Sequence, residues 1–173
     1  MEQLKPIIEA LVFASDTPVS LQKMSDILEG VDRKEIATAV YELMKEYDDR
    51  RSGLCLVEVA GGYQFRTRDD FSSWVRKLRG MRPISLSRAA LETLAVIAYK
   101  QPIMKAEVEK VRGVDVSGTL RGLLEKNLVR IVGRKDVPGR PIIYGTTKKF
   151  LEVFNLNDLT ELPTLSELKE LGE

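Results

Sequence analysis

The chain contains no histidine. That absence removes the commonest general base, the commonest metal ligand and every Ser-His or Cys-His nucleophile pair. Cysteine is present once, as Cys55, so neither an internal disulfide nor a multi-cysteine metal site can form. No apolar run approaches the ~20 residues that cross a bilayer as a helix. The opening Met1-Glu2-Gln3-Leu4-Lys5-Pro6 lacks the basic-then-apolar order of a secretory signal. A surplus of one charge sign is missing too: 27 basic side chains face 26 acidic ones, too even for a general nucleic-acid coat. What is there is 43% apolar and 31% charged over 173 residues. That is enough hydrophobic material for one ordinary domain or two small ones, and it argues against long disorder. The expectation is a soluble, cytoplasmic protein that is not an enzyme and uses no cofactor.

Charge is unevenly placed. Residues 1–80 carry 12 basic and 14 acidic side chains, residues 81–147 carry 12 and 6, and residues 148–173 carry 3 and 6. The middle segment suits an acidic partner, either nucleic acid or an acidic protein segment, or is a solvated surface of scattered charge.

Hydrophobic spacing predicts a helix over 4–14, with Ile7, Leu11 and Ala14 on one face and Ile8 and Leu4 beside it. Ser20 can cap a short helix carrying Leu21, Met24, Ile27 and Leu28, closed by Gly30. Asp32 with Glu35 has capping-box spacing for a third helix lined by Ile36, Val40, Leu43, Met44 and Tyr47. The period then changes to two. Leu54–Ala60 and Tyr63–Arg68 read as strands around a Gly61-Gly62 turn. Asp69 can cap one more helix, with Phe71, Trp74, Val75 and Leu78 at helical spacing. Gly80-Met81-Arg82-Pro83 reads as a linker.

The order then recurs. Ser87 starts a helix through Lys100 that is apolar nearly all round, with Leu91, Leu94, Ala95 and Ala98 on one face and burial expected on several sides. A helix over 104–112 ends at Gly113, and Ser117 caps a third with Leu120, Leu123 and Leu124 inward. Leu128–Val132 and Ile142–Tyr144 read as strands around a long loop, and Thr147 opens a closing helix with Phe150, Leu151 and Phe154. A shift of 84 residues superposes Val12 on Val96, Ala14 on Ala98 and Pro18 on Pro102. Three helices followed by a β-hairpin describe a winged helix. The expected fold is mainly α with small β-hairpins, α+β: two tandem winged-helix domains over 1–80 and 87–156, a linker over 81–86, and an acidic, leucine-containing tail over 157–173. The tail has leucines at 156, 159, 162, 165, 168 and 171, with Thr164 and Glu167 spaced as a capping box. It either drapes over its own domain or packs on a partner.

No catalytic, metal or cofactor-binding constellation emerges. The loop from Gly133 to Pro141 is glycine-bearing, yet its glycines are one residue too far apart for a phosphate loop, and Arg140-Pro141 stands where Lys-Ser/Thr is needed. Cys55 alternates with apolar strand residues and reads as a small core or subsurface side chain. The first domain is a poor DNA reader, because Glu35, Glu42, Glu46, Asp48 and Asp49 accompany its third helix. The second is better equipped, with Arg112, Arg121, Lys126, Arg134, Lys135 and Arg140. Its third helix is poor in base-reading side chains, and Gly118 and Gly122 offer another backbone a close approach, which favours a protein partner.

The run from Leu86 to Ile103, LSRAALETLAVIAYKQPI, resembles the signature of the segregation and condensation protein B (ScpB) family. So do Val111-Arg112-Gly113-Val114, the loop from Gly133 to Pro141, Tyr144-Gly145-Thr146-Thr147, Ile8 to Ser15 and Gly62 to Arg68. One departure is Met104, where relatives often have threonine; losing that cap would fray the next helix by ~1 kcal/mol. The resemblance implies a non-enzymatic subunit of the bacterial condensin complex, a homodimer joined chiefly through its N-terminal domains. It implies binding to the kleisin subunit ScpA, which links the heads of the SMC ATPase, and a nucleoid-associated role in chromosome condensation and segregation. On this sequence the residues offered for dimerisation are Ile7, Ile8, Leu11, Phe71 and Trp74. Those offered to the kleisin are Leu91, Leu94, Tyr99, Arg121, Arg134, Lys135 and Arg140, with only weak, indirect contact to DNA. The alternative is a dimeric winged-helix transcriptional regulator that binds DNA directly.

Overall fold

A computed structural model describes residues 3–80, 86–164 and 167. The chain divides into two compact units, residues 1–82 and 83–173. The expected linker, apart from Leu86, lies outside the described residues, as do Leu165, Leu168 and Leu171.

The first unit begins with α1 (Leu4–Phe13), α2 (Leu21–Ile27) and α3 (Arg33–Asp49). Ser20 caps α2 by accepting the Lys23 N–H at 3.2 Å. Asp32 caps α3 through the Lys34 N–H at 2.7 Å, one residue earlier than the Glu35 position of a capping box. The hairpin β1 (Leu54–Val59) and β2 (Gly62–Thr67) follows, then a 3-10 turn over Asp69–Phe71 and α4 (Ser72–Arg79). Ile8, Val12, Met24, Ile36, Val40, Leu43 and Leu56 form the core.

Two sequence expectations shift here. The inward face of α1 is Ile8 and Val12, with Leu4 packed beside them, while Ile7 is exposed. The helix carries apolar residues on more than one side, so spacing alone could not choose the face. The hairpin turn is Ala60-Gly61, with φ of 52° and 73°, and Gly62 already pairs with Val59. The reason is tertiary. Val19 bridges Tyr63 through two 2.9 Å backbone bonds, and a Cβ on Gly62 would sit 2.9 Å from the backbone carbons of Pro18 and Val19.

The second unit repeats the plan with α5 (Arg88–Lys100), β3 (Ile103–Met104), α6 (Lys105–Arg112), α7 (Ser117–Glu125), β4 (Val129–Arg134) and β5 (Ile142–Thr146). It closes with α8 (Lys148–Phe154) and a 3-10 turn over Leu159–Glu161. The sheet order is β3-β5-β4, all antiparallel, with a bulge between Ile131 and Gly133. The short strand β3, absent from the sequence reading, pairs Ile103 with Tyr144. It corresponds to the Val19–Tyr63 bridge of the first unit: Ile103 follows Val19 by the same 84 residues that separate Pro18 from Pro102, while its partner Tyr144 follows Tyr63 by 81.

Helix starts in this unit follow the cap rules with two changes. Ser87 accepts the Ala90 N–H at 3.2 Å and Thr147 the Phe150 N–H at 3.1 Å, as expected. Ser117 is the first helical residue rather than the cap, and Asp115 accepts its N–H at 2.7 Å. At α6 the Glu107 carboxylate accepts the Met104 N–H at 2.9 Å, so that half of the capping box persists without a threonine. The inward face of α5 is Thr93, Leu94, Ile97 and Ala98, leaving Leu91 and Ala95 outside. Each unit, three helices and a hairpin, is a winged helix, and the fold is α+β with small antiparallel sheets.

Candidate interaction surfaces

On the first unit the outer face of α1 forms a shallow apolar depression lined by Pro6, Ile7, Ala10, Leu11 and Ala14. Phe13 beyond it is 75% exposed. The helix α4 is amphipathic, yet none of its described side chains is buried. Trp74 is 65% and Leu78 87% exposed, and the Phe71 ring lies tilted 6.3 Å from that of Trp74 while its edge covers Gly53. Apolar side chains left in water on a regular helix face mark a surface that something else covers. Of the residues offered for dimerisation, Ile7, Leu11, Phe71 and Trp74 have surface to give. Ile8 is 0% exposed and belongs to the core, so it is withdrawn from that set.

On the second unit Leu91, Ala95 and Tyr99 lie at i, i+4 and i+8, making one exposed stripe along α5. Leu94 is 1% exposed and forms part of the core, so it too is withdrawn. Below the stripe, Leu86, Leu91, Leu128, Val153 and Phe154 line a groove of about 350 Å³ with Lys126 and Lys149 at its rim. The Tyr99 hydroxyl donates to the Pro163 carbonyl at 2.6 Å, and Leu156 and Leu162 pack on the core. The tail therefore drapes over its own unit as far as Pro163. Thr164 and Glu167 make the expected capping box: Glu167 accepts the Thr164 N–H at 2.6 Å, and Thr164 accepts the Glu167 N–H at 3.3 Å.

The six cations separate into two groups. Arg112 binds the Glu92 carboxylate, which also takes Arg88 at 2.9 Å, and Arg121 binds Glu125 at 2.9 Å. Both arginine hydrogen bonds hold the Glu92 carboxyl below the usual range. Among the described residues, Lys126, Arg134, Lys135 and Arg140 have no ion-pair partner. The last three sit on the wing, which is ordered by its own backbone: Lys135 N–H to Pro141 at 2.9 Å, Arg140 N–H to Val137 at 2.9 Å, and the Arg134 guanidinium to the Arg140 carbonyl at 3.1 Å. Gly118 and Gly122 on α7 have nothing within 4 Å of a Cβ position, so that strip is open.

Sequence reasoning missed Gln101 as an organising residue. Its amide accepts the Thr146 N–H at 2.7 Å and donates to the Ala98 carbonyl at 3.1 Å, tying the end of α5 to β5. The adjoining Gly145 leaves room for it, since a Cβ there would meet the Gln101 oxygen at 2.9 Å. Nothing local signalled this pair, which is 45 residues apart.

Burial pushes the Cys55 thiol up, which disfavours the thiolate, and its Sγ lies 3.6 Å from the Arg66 carbonyl. Among the described residues no group of three or more cysteine or acidic side chains gathers to hold a metal, and no helix is long and apolar enough to cross a membrane.

Residues 6–165 match the family described as segregation and condensation complex subunit ScpB. The chain is 52% identical over 169 residues to segregation and condensation protein B of Syntrophotalea carbinolica, covering 98% of this chain and 85% of that one. Among solved structures, ScpB from Mycobacterium tuberculosis is 37% identical with a TM-score of 0.43, covering 90% of this chain and 96% of that one. A dimer of the ScpB N-terminal domain complexed with a ScpA peptide is 31% identical with a TM-score of 0.42, covering 44% of this chain and 95% of that one.

Proposed function

Because the chain belongs to the segregation and condensation protein B family, we propose that it is a non-enzymatic subunit of a bacterial condensin. In this reading it self-associates through the first unit and binds the kleisin ScpA through the second. The kleisin then connects it to the SMC ATPase, in the cytoplasm and at the nucleoid, for chromosome condensation and segregation. One observation supports this above the others: α1, α4 and α5 each leave apolar side chains on an outer face, Ile7 and Leu11, Trp74 and Leu78, and Leu91 and Tyr99. Surfaces of that kind gain ~25 cal/mol per Å² when a partner covers them, less the cost of association. Ile7, Leu11, Phe71 and Trp74 serve self-association. Leu91, Tyr99, Arg121, Arg134, Lys135 and Arg140 serve the kleisin.

The test uses the full chain. Ile7→Glu with Trp74→Glu converts the dimer to a monomer in sedimentation. Arg134→Glu, Lys135→Glu and Arg140→Glu combined with Tyr99→Ala weakens ScpA capture by about tenfold or more, without changing sedimentation. Unchanged capture removes the second unit from the kleisin contact, and an unchanged dimer removes α1 and α4 from self-association. The unpaired wing cations also fit a DNA-binding regulator. That reading requires steeply salt-dependent gel shifts weakened further by Arg121→Ala, and no shift at low salt eliminates it.

A further inference from the structure

The groove under α5 and the sequence that follows Pro163 are complementary. The groove walls are Leu86, Leu91, Leu128, Val153 and Phe154, with Lys126 and Lys149 at the rim. Lys149 already shares the Glu152 carboxylate at 3.0 Å, so Lys126 is the rim cation without a partner. The sequence beyond Pro163 is Thr-Leu-Ser-Glu-Leu-Lys-Glu-Leu-Gly-Glu, with leucines at 165, 168 and 171 and glutamates at 167, 170 and 173 against the single Lys169.

The point of departure is fixed. Pro163 is held on Tyr99 by the 2.6 Å hydroxyl bond, and Tyr99 is the last member of the Leu91/Ala95/Tyr99 stripe. The Thr164–Glu167 capping box favours a helical start immediately after it. From Tyr99 back to Leu91 is eight helical residues, about 12 Å, and eight residues of helix after Pro163 cover the same ~12 Å. A leucine at every third position keeps an apolar edge on one side for such a short span.

We propose that residues 165–173 dock in cis along α5, placing Leu165, Leu168 and Leu171 over the Tyr99-to-Leu91 stripe and into the groove, with the glutamates towards Lys126. The occupant is this segment of the same chain; it covers Leu91 and Tyr99, which the proposed function gives to the kleisin, so the two compete for that surface and the docking is read without ScpA present.

The experiment keeps the whole chain. Cys55→Ser removes the native thiol, and Val153→Cys with Leu168→Cys places one thiol in the groove and one on the segment. Under mild oxidation at low protein concentration the expected product is an intrachain disulfide in most molecules, read by mass after trypsin. Adding Lys126→Glu lowers its yield several-fold, as does high salt. A control pair, Val111→Cys with Leu168→Cys, stays reduced. Disulfides that form only between chains overturn the proposal in favour of a second copy. No disulfide, or equal yield from the control pair, overturns it outright.

Discussion

At Gly62 a single hydrogen atom in place of a methyl group decides whether the first unit closes. The 2.9 Å approach to Pro18 and Val19 is to backbone, which cannot swing aside as a side chain would. Gly62→Ala is therefore expected to destabilise the unit by about 1–3 kcal/mol through overpacking. Gly122→Ala, in a helix and with open space around it, is expected to stabilise by about 0.5–1 kcal/mol. Urea denaturation of both variants checks the pair, and a common sign for the two would contradict the packing argument. The same residue shows what local sequence could carry. Two adjacent glycines announced a tight turn, and one is there. Which residues occupy it depended on Val19, more than forty positions away, whose strand needs Gly62 bare, so Ala60 takes the positive φ instead.

Elements in this protein are held at their ends by polar contacts and along their lengths by apolar ones. In α5 the end contacts converge on Glu92, whose carboxylate serves Arg88 of its own helix and Arg112 of α6. Its pKa is depressed chiefly by these two side-chain hydrogen bonds. A depressed carboxylate contributes stability that is present above its unfolded pKa and lost as pH falls through the folded one. The second unit is therefore expected to lose stability on acidification. Glu92→Gln is expected to flatten that loss while lowering stability at neutral pH. Thermal melts of both forms from neutral pH down to pH 3 read the difference, and parallel curves would refute the assignment. Helix starts were readable because Ser20, Asp32, Ser87 and Thr147 bond locally. Inward faces were less readable. Apolar residues surround α1 and α5, and only packing against neighbouring helices chose Ile8 over Ile7 and Ile97 over Leu91. The surplus that confused the pattern is the same surplus that now forms the proposed contact surfaces.

Taken as a molecule, the chain carries two cores, each built from its own unit's residues. Ile36 and Ile97 are both fully buried, one in each core. Truncating either to alanine is expected to cost about 2–5 kcal/mol. Hydrogen exchange followed by peptide mass should show Ile97→Ala deprotecting peptides from 86–164 with those from 3–80 unchanged, and Ile36→Ala the reverse. Loss of protection across both units in either variant would mean that they unfold as one. The doubled plan was legible because the order of elements repeats, even though few identities do. The β3 strand was not, since two residues are too short to show a period of two, and its partner β5 lies some forty residues on.

The hairpins of the two units differ at their tips: Ala60-Gly61 alone joins β1 to β2, whereas residues 135–141 separate β4 from β5. For anyone wishing to attach a dye or a small epitope, the two ends are unequal hosts. An extra loop grafted after Asp136 extends a peninsula already standing in solvent. The same graft beside Gly61 would unpick the register that delivers Tyr63 to Val19.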